Sequence, residues 1–111
     1  MKKTYRYEGK YGLLEVDLQE KKVIVDELDR DKIWADAQED YSQQQYIYGT
    51  IIDELFDDDI DKIFPPRRKY EYWCGEATDF GYKAFNDEIE VIVDAEGTYI
   101  HDLKEKIFIE A

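Results

Sequence analysis

The sequence has little of what catalytic and metal sites are made from: one cysteine, Cys74, and one histidine, His101, in 111 residues. A zinc site takes three or four protein ligands, chiefly Cys and His, so none is expected. A single cysteine closes no internal disulfide, and a small secreted domain usually carries several. No run of about 18 apolar residues occurs, which argues against a transmembrane helix. The basic start MKKTYRYEGKYG has no apolar stretch behind it to act as a signal peptide. The expected location is therefore the cytoplasm, with no membrane partner. The two prolines are adjacent, at Pro65 and Pro66, the six glycines are scattered, and there is neither a Pro/Gly/Ser-rich linker nor an internal repeat. One domain over residues 1–111 is the expectation, since domains commonly run about 100 to 150 residues.

Sequence signatures of catalysis are missing as well. There is no glycine-rich phosphate loop, no GxSxG and no HExxH. Cys74 and His101 would make a thiol and its base. The plainer reading has Cys74 as a small buried apolar group after an aromatic strand and His101 on the face of a hairpin, alternating with Ile100. Carboxylates are too numerous for any dyad to be singled out. No enzymatic activity and no cofactor are expected. Asp57-x-Asp59-x-Asp61 matches the opening ligands of a calcium loop, but Lys62 stands where the loop needs Gly and Arg68 where it needs Glu. No metal site is expected.

What the chain has in excess is negative charge: 28 acids against 15 Lys and Arg, a net −13. Hydrophobic residues at 43% and aromatics at 15% separate it from a disordered acidic tail, so it folds. Residues 4–8 read as a strand. Leu14, Val16 and Leu18 then share one face and Glu15 and Asp17 the other, the period-two signature of a strand. A polar link at residues 19–21 leads to a second strand at 22–25. From Asp29 the period lengthens: Ile33, Ala37, Tyr41, Tyr48, Ile52 and Leu55 form the stripe of an amphipathic helix to about Phe56. Asp29 or Asp31 would cap it, Gly49 would weaken it, and Gln43, Gln44 and Gln45 would lie on its exposed side. Asp57 or Asp58 would cap a short second helix ending near Phe64, before the prolines force a change of structure. Residues 70–73 read as a strand, residues 74–87 as loop with a short strand or turn, and residues 89–94, 98–103 and 107–110 as further strands. Ile89, Val91 and Val93 alternate with Glu90, Ile92 and Asp94, and the apolar Ile92 suggests partial cover on the second face. The expected fold is α+β: an antiparallel sheet of about five to six strands packed on one long amphipathic helix, with a short second helix near 58–64.

The charge is unevenly spread. Residues 1–28 are neutral overall, 29–63 carry −8, 64–86 carry +1 and 87–111 carry −6. Between Lys32 and Lys62 there are nine acids and no Lys or Arg: Asp36, Glu39, Asp40, Asp53, Glu54, Asp57, Asp58, Asp59 and Asp61. Ordinary solvated helices mix opposite charges at i,i+4, where like pairs are unfavourable, and acids near a helix C-terminus oppose its dipole. A chain break that caps a new helix explains some of these carboxylates. A surface read by a cationic partner explains the missing cations. These nine residues are therefore the candidate partner-binding set.

The expected partner is a basic protein surface, a nuclease or other nucleic-acid-binding protein whose groove the acids occupy in place of phosphates. Inhibitors of restriction or CRISPR nucleases that imitate DNA work in this way, and so would an immunity protein to a nuclease toxin, placing the chain in phage or defence biology. Ten tyrosines and two tryptophans suit such an interface. The alternative is a small binding or structural domain whose acidity serves solubility only. Direct binding of nucleic acid is disfavoured by the net charge, although Arg67-Arg68-Lys69 followed by Tyr70, Tyr72 and Trp73 mixes cations and rings as single-strand binders do. The plainer reading pairs those cations with the neighbouring acids.

Overall fold

The computed structural model describes residues 3–64 and 80–104, and the backbone of residues 70–74. Strands β1 (Thr4–Gly9), β2 (Gly12–Asp17) and β3 (Lys22–Leu28) come first. The helices α1 (Arg30–Asp36), α2 (Gln44–Phe56) and α3 (Ile60–Ile63) follow, with 3₁₀ turns at Tyr41–Gln43 and Asp57–Asp59. Strands β4 (Tyr70–Cys74), β5 (Phe80–Phe85), β6 (Ile89–Asp94) and β7 (Thr98–Asp102) complete the described chain. The fold is α+β with antiparallel strand pairs throughout.

The strands form two sheets, β1-β2-β3 and β4-β5-β6-β7, rather than the single sheet the sequence suggests. The reason lies at the junction. β3 and β7 lie side by side, but side chains from residues flanking β3 bridge to the second sheet in place of a backbone ladder. Lys21 Nζ meets Asp102 Oδ2 at 3.0 Å. Arg30 donates from Nη2 to Thr98 Oγ1 at 3.2 Å and from Nε to the Asp94 carbonyl at 2.8 Å. Helix α2 packs against β1 of the first sheet and β4, β5 and β6 of the second, so both sheets bury their apolar faces on one element. Tyr5, Tyr7, Leu14 and Val16 from one side, and Phe80, Tyr82, Ala84, Ile89, Val91 and Val93 from the other, enclose Tyr48, Ile51, Ile52, Leu55 and Phe56. In β6 the expected alternation holds: Ile89, Val91 and Val93 are buried and Ile92 is half-buried.

The long helix expected over residues 29–56 is broken. α1 begins as read, with the Asp29 carboxylate accepting from the Lys32 N–H, but ends at Ala37. Asp40 restarts the chain by accepting from the Ser42 N–H at 3.1 Å and its hydroxyl at 2.7 Å. The break shifts the phase of the stripe. Ile33, Ala37, Tyr48, Ile52 and Leu55 are buried as expected, whereas Tyr41 is 43% exposed. Gln44 and Gln45, expected on the outside, are buried. The short second helix exists as α3, led in by the 3₁₀ turn; neither Asp57 nor Asp58 caps it, and Asp59 holds that position without a side-chain cap bond. Residues 80–85, expected within a loop-rich stretch, form β5, which pairs with β4 on one side and β6 on the other. The prolines, Arg67 to Lys69 and the strand expected over 107–110 lie outside the described residues, as do the side chains of residues 70–74.

Candidate protein-binding surface

The nine candidate carboxylates fall into two groups at the ends of α2. Asp36, Glu39 and Asp40 precede it. Asp53, Glu54, Asp57, Asp58, Asp59 and Asp61 lie on its last turn and on the turns that follow. From Asp40 to Asp53 is thirteen residues, roughly 20 Å at 1.5 Å per helical residue. The intervening outer side of α2 is uncharged and presents Tyr46 and Thr50. The nine residues thus form two clusters flanking a polar and aromatic strip rather than one unbroken row.

The members differ in how engaged they are. Asp36 accepts from the Tyr11 hydroxyl at 2.7 Å and pairs with Lys10 Nζ at 3.1 Å, both from the β1–β2 turn, and these contacts hold its carboxyl below the usual range. The charge count along residues 33–61 misses this cation because Lys10 is distant in sequence. Asp40 is held low by its bonds to the Ser42 hydroxyl and N–H. Asp59 is drawn inward, accepting from the Tyr5 hydroxyl at 2.8 Å, with Lys62 at 4.0 Å. Glu39, Asp40, Asp53, Glu54, Asp57, Asp58 and Asp61 are exposed. A partner's cations can therefore reach most of the set, but Asp59 and Asp36 already serve the fold.

Aromatic side chains on the same segment were not visible as surface groups in the sequence. Trp34 and Tyr41 stack with ring centroids 4.4 Å apart and planes 15° from parallel, and both are exposed together with Tyr46. Only the break between α1 and α2 turns Tyr41 outward. Beside Tyr46, a shallow cleft of about 390 Å³ runs between the β1–β2 turn and α2, lined by Lys10, Tyr11, Asp36, Gln43, Ile47 and Thr50.

A second, smaller cavity of about 150 Å³ lies under α1, bounded by Arg30, Asp31, Trp34, Gln44, Tyr48 and Ala95. Gln44 and Tyr48, one helical turn apart, are buried, and Gln44 Nε2 and the Tyr48 hydroxyl have no hydrogen-bond partner among the described residues. Burial pushes the Tyr48 phenol up to about 12, which keeps its proton in place.

His101 lies on the exposed side of β7, its Nδ1 3.1 Å from Glu90 Oε2 across the β6–β7 ladder. Burial works to raise the Glu90 carboxyl, and His101 together with Lys83 at 3.5 Å outweighs it, leaving Glu90 below its ordinary value. The thiol of Cys74 lies outside the described side chains. Among the described residues no three His, Cys, Asp or Glu side chains are grouped to hold a metal ion. No described helix is long and apolar enough to cross a membrane. Compared with known proteins, the chain matches no family model, no curated protein and no solved structure.

Proposed function

We propose that this chain is a non-enzymatic acidic protein that docks on a basic, nucleic-acid-binding surface of another protein and blocks it, as an inhibitor of a nuclease or an immunity protein to one. The observation that carries this reading is the 29-residue stretch over residues 33–61, with nine acids and no Lys or Arg. Eight of those nine residues are exposed, Asp59 being the half-buried one. Carboxylates in rows take charge-assisted bonds from Lys and Arg, as phosphates do. The exposed Trp34–Tyr41 stack and Tyr46, set among them, are of the types that anchor interfaces. The partner would be met in the cytoplasm, and no nucleic acid, cofactor or metal enters the reading.

The test is a pull-down from a lysate containing nucleases and polymerases, at low and at high salt, with wild type and with Asp36, Asp40, Asp53 and Asp57 all changed to Asn. Each captured protein is then assayed for binding of a labelled oligonucleotide with and without the chain. A salt-sensitive partner that loses its oligonucleotide to the chain, and is bound at least about tenfold more weakly by the fourfold variant, is the expected result, because exposed charge contacts are screened within about 8 Å at physiological salt. Capture unaffected by the substitutions, or a partner that keeps its oligonucleotide, would sink the proposal.

A further inference from the structure

Trp34 on α1 and Tyr41 in the following turn stack face to face at the surface, 37% and 43% exposed, with their planes 15° apart. Neither ring belongs to the apolar core cluster. Each covers one face of the other, so what solvent meets is the outer faces and rims of a flat two-ring stack. Large rings exposed together within a polar surround mark a contact site. Here the surround is anionic. Asp31 stands three residues before Trp34, on the same side of α1, and both border the small cavity under that helix. Asp31 is exposed and enters no ion pair among the described residues. Asp40, beside Tyr41, is exposed as well but already accepts from Ser42. The two cations of α1 do not cancel this charge at the stack. Arg30 is bridged to Asp26 at 3.1 Å, and Lys32, two residues from Trp34, lies on a different side of the helix.

We infer that the Trp34–Tyr41 stack seats an arginine side chain of the partner protein, its guanidinium extending the stack while its N–H groups donate to the Asp31 carboxylate. This rests on the reading of the chain as a protein that docks on a basic surface, and it names which cation makes the aromatic contact. A guanidinium is flat, weakly hydrated and always charged; it can lie on a ring and still keep its donors in plane for a carboxylate. A lysine ammonium is a compact, strongly hydrated charge that neither continues a planar stack nor pairs through two parallel bonds. A methylated ammonium is taken by rings arranged as the walls of a cage, whereas two nearly parallel rings 4.4 Å apart leave no space between them. An apolar partner would strip water from Asp31 and Asp40 without returning a counter-charge. A nucleobase could stack, but its phosphates would meet a chain of net charge −13.

The probes are two fluorophore-labelled peptides of equal length and charge, one of alternating Gly and Arg and one of alternating Gly and Lys. Each is titrated into the full chain at low and at physiological salt, with anisotropy as the readout. The arginine peptide should bind at least about fivefold more tightly. Trp34→Leu and Asp31→Asn should each weaken the arginine peptide about fivefold, while the lysine peptide changes little, so that the ratio between the two falls toward one. A fold-wide defect would lower both affinities together and leave the ratio in place. Both residues are exposed, so the variants should keep the unfolding midpoint of wild type; if Trp34→Leu does not fold, Tyr41→Leu, which strips the other ring, takes its place. Asp36, Asp40, Asp53 and Asp57 changed together to Asn should weaken both peptides alike. Equal affinity for the two peptides, lost in that fourfold variant, overturns the arginine seat and leaves the docking reading standing. An arginine preference that survives Trp34→Leu or Asp31→Asn overturns it as well. If neither peptide binds, the inference falls, and the pull-down decides the docking reading on its own.

Discussion

Asp57 has φ +50° and ψ −128°, a backbone conformation suited to glycine, at the point where α2 ends and its N–H reaches back to the Asp53 carbonyl. A Cβ held there is strained by about 1 to 3 kcal/mol. Asp57→Gly should therefore stabilise the chain by about 1 kcal/mol after the greater freedom of glycine in the unfolded state is subtracted. Asp57→Asn, which removes the charge and keeps the Cβ, should gain less; thermal unfolding of the two variants separates strain from repulsion, and a lowered midpoint for Asp57→Gly would contradict it. At Asp26 burial works to raise the carboxyl, but the Arg30 guanidinium and the Leu28 N–H outweigh it and hold it below its ordinary value. A carboxylate depressed in the folded state stabilises fully above its unfolded value of about 3.9 and loses that contribution as pH falls toward the folded value. Asp26→Asn should lower stability at neutral pH and flatten the acid limb below about pH 4. Urea unfolding between pH 3 and 6 checks this, and a parallel limb in the variant would refute it.

At the scale of elements, Gly49 marks a close approach of α2 to β5. A Cβ there would stand 2.5 Å from Cε2 of the buried Tyr82 ring. Helix propensity alone favours Ala over Gly by about 1 kcal/mol, which is why the sequence makes Gly49 look like a weak point. Overpacking costs about 1 to 3 kcal/mol, and Tyr82 is wedged between α2 and its own sheet. Gly49→Ala should be destabilising by about 1 kcal/mol or more, and Tyr82→Leu in the same chain should recover part of the loss; equal stability of Gly49→Ala and wild type would show that the ring yields. β5 itself is weakly marked in the sequence. Phe80, Tyr82 and Ala84 do alternate, but Gly81, Lys83 and a preceding CGEATD dilute the apolar signal, and only pairing with β4 and β6 makes the stretch a strand. β1 and β2 were legible from alternating apolar residues, and β3 and β6 from short β-branched apolar runs. The break at residues 37–40 was not, because Ile33, Ala37 and Tyr41 keep helical spacing across it. The competing signal was Asp40 two residues before Ser42, an Asx cap that composition alone does not single out.

Over the whole molecule, the net charge of −13 opposes contact with any polyanion. The described cations are mostly engaged locally: Arg6 with Glu8 and Glu15, Lys10 with Asp36, Arg30 with Asp26, Lys83 with Glu90 and Lys104 with Glu88. A labelled single-stranded oligonucleotide should not be retained at 0.15 M salt in a filter-binding assay. Retention would shift attention from the carboxylates to residues 67–73, where Arg67, Arg68 and Lys69 precede the aromatic strand. The candidate surface was legible as a count of charges but not as a shape. Nothing in a linear count reveals that Lys10 and Tyr11 reach Asp36, or that Tyr5 draws Asp59 inward.

The sequence by itself determined the α+β class, the hairpins, a helix start capped at Asp29 or Asp31 and the cation-free run, because these depend on residue type and on spacing within a few positions. The tertiary structure decided that the strands form two sheets, that the acids split between the two ends of α2, and that Gln44 and Tyr48 are buried. Those outcomes depend on which distant side chains meet. The two sheets are bridged by Lys21 and Arg30, which flank β3, rather than by a backbone ladder, and a restarted helix turns Tyr41 outward while it buries two glutamines.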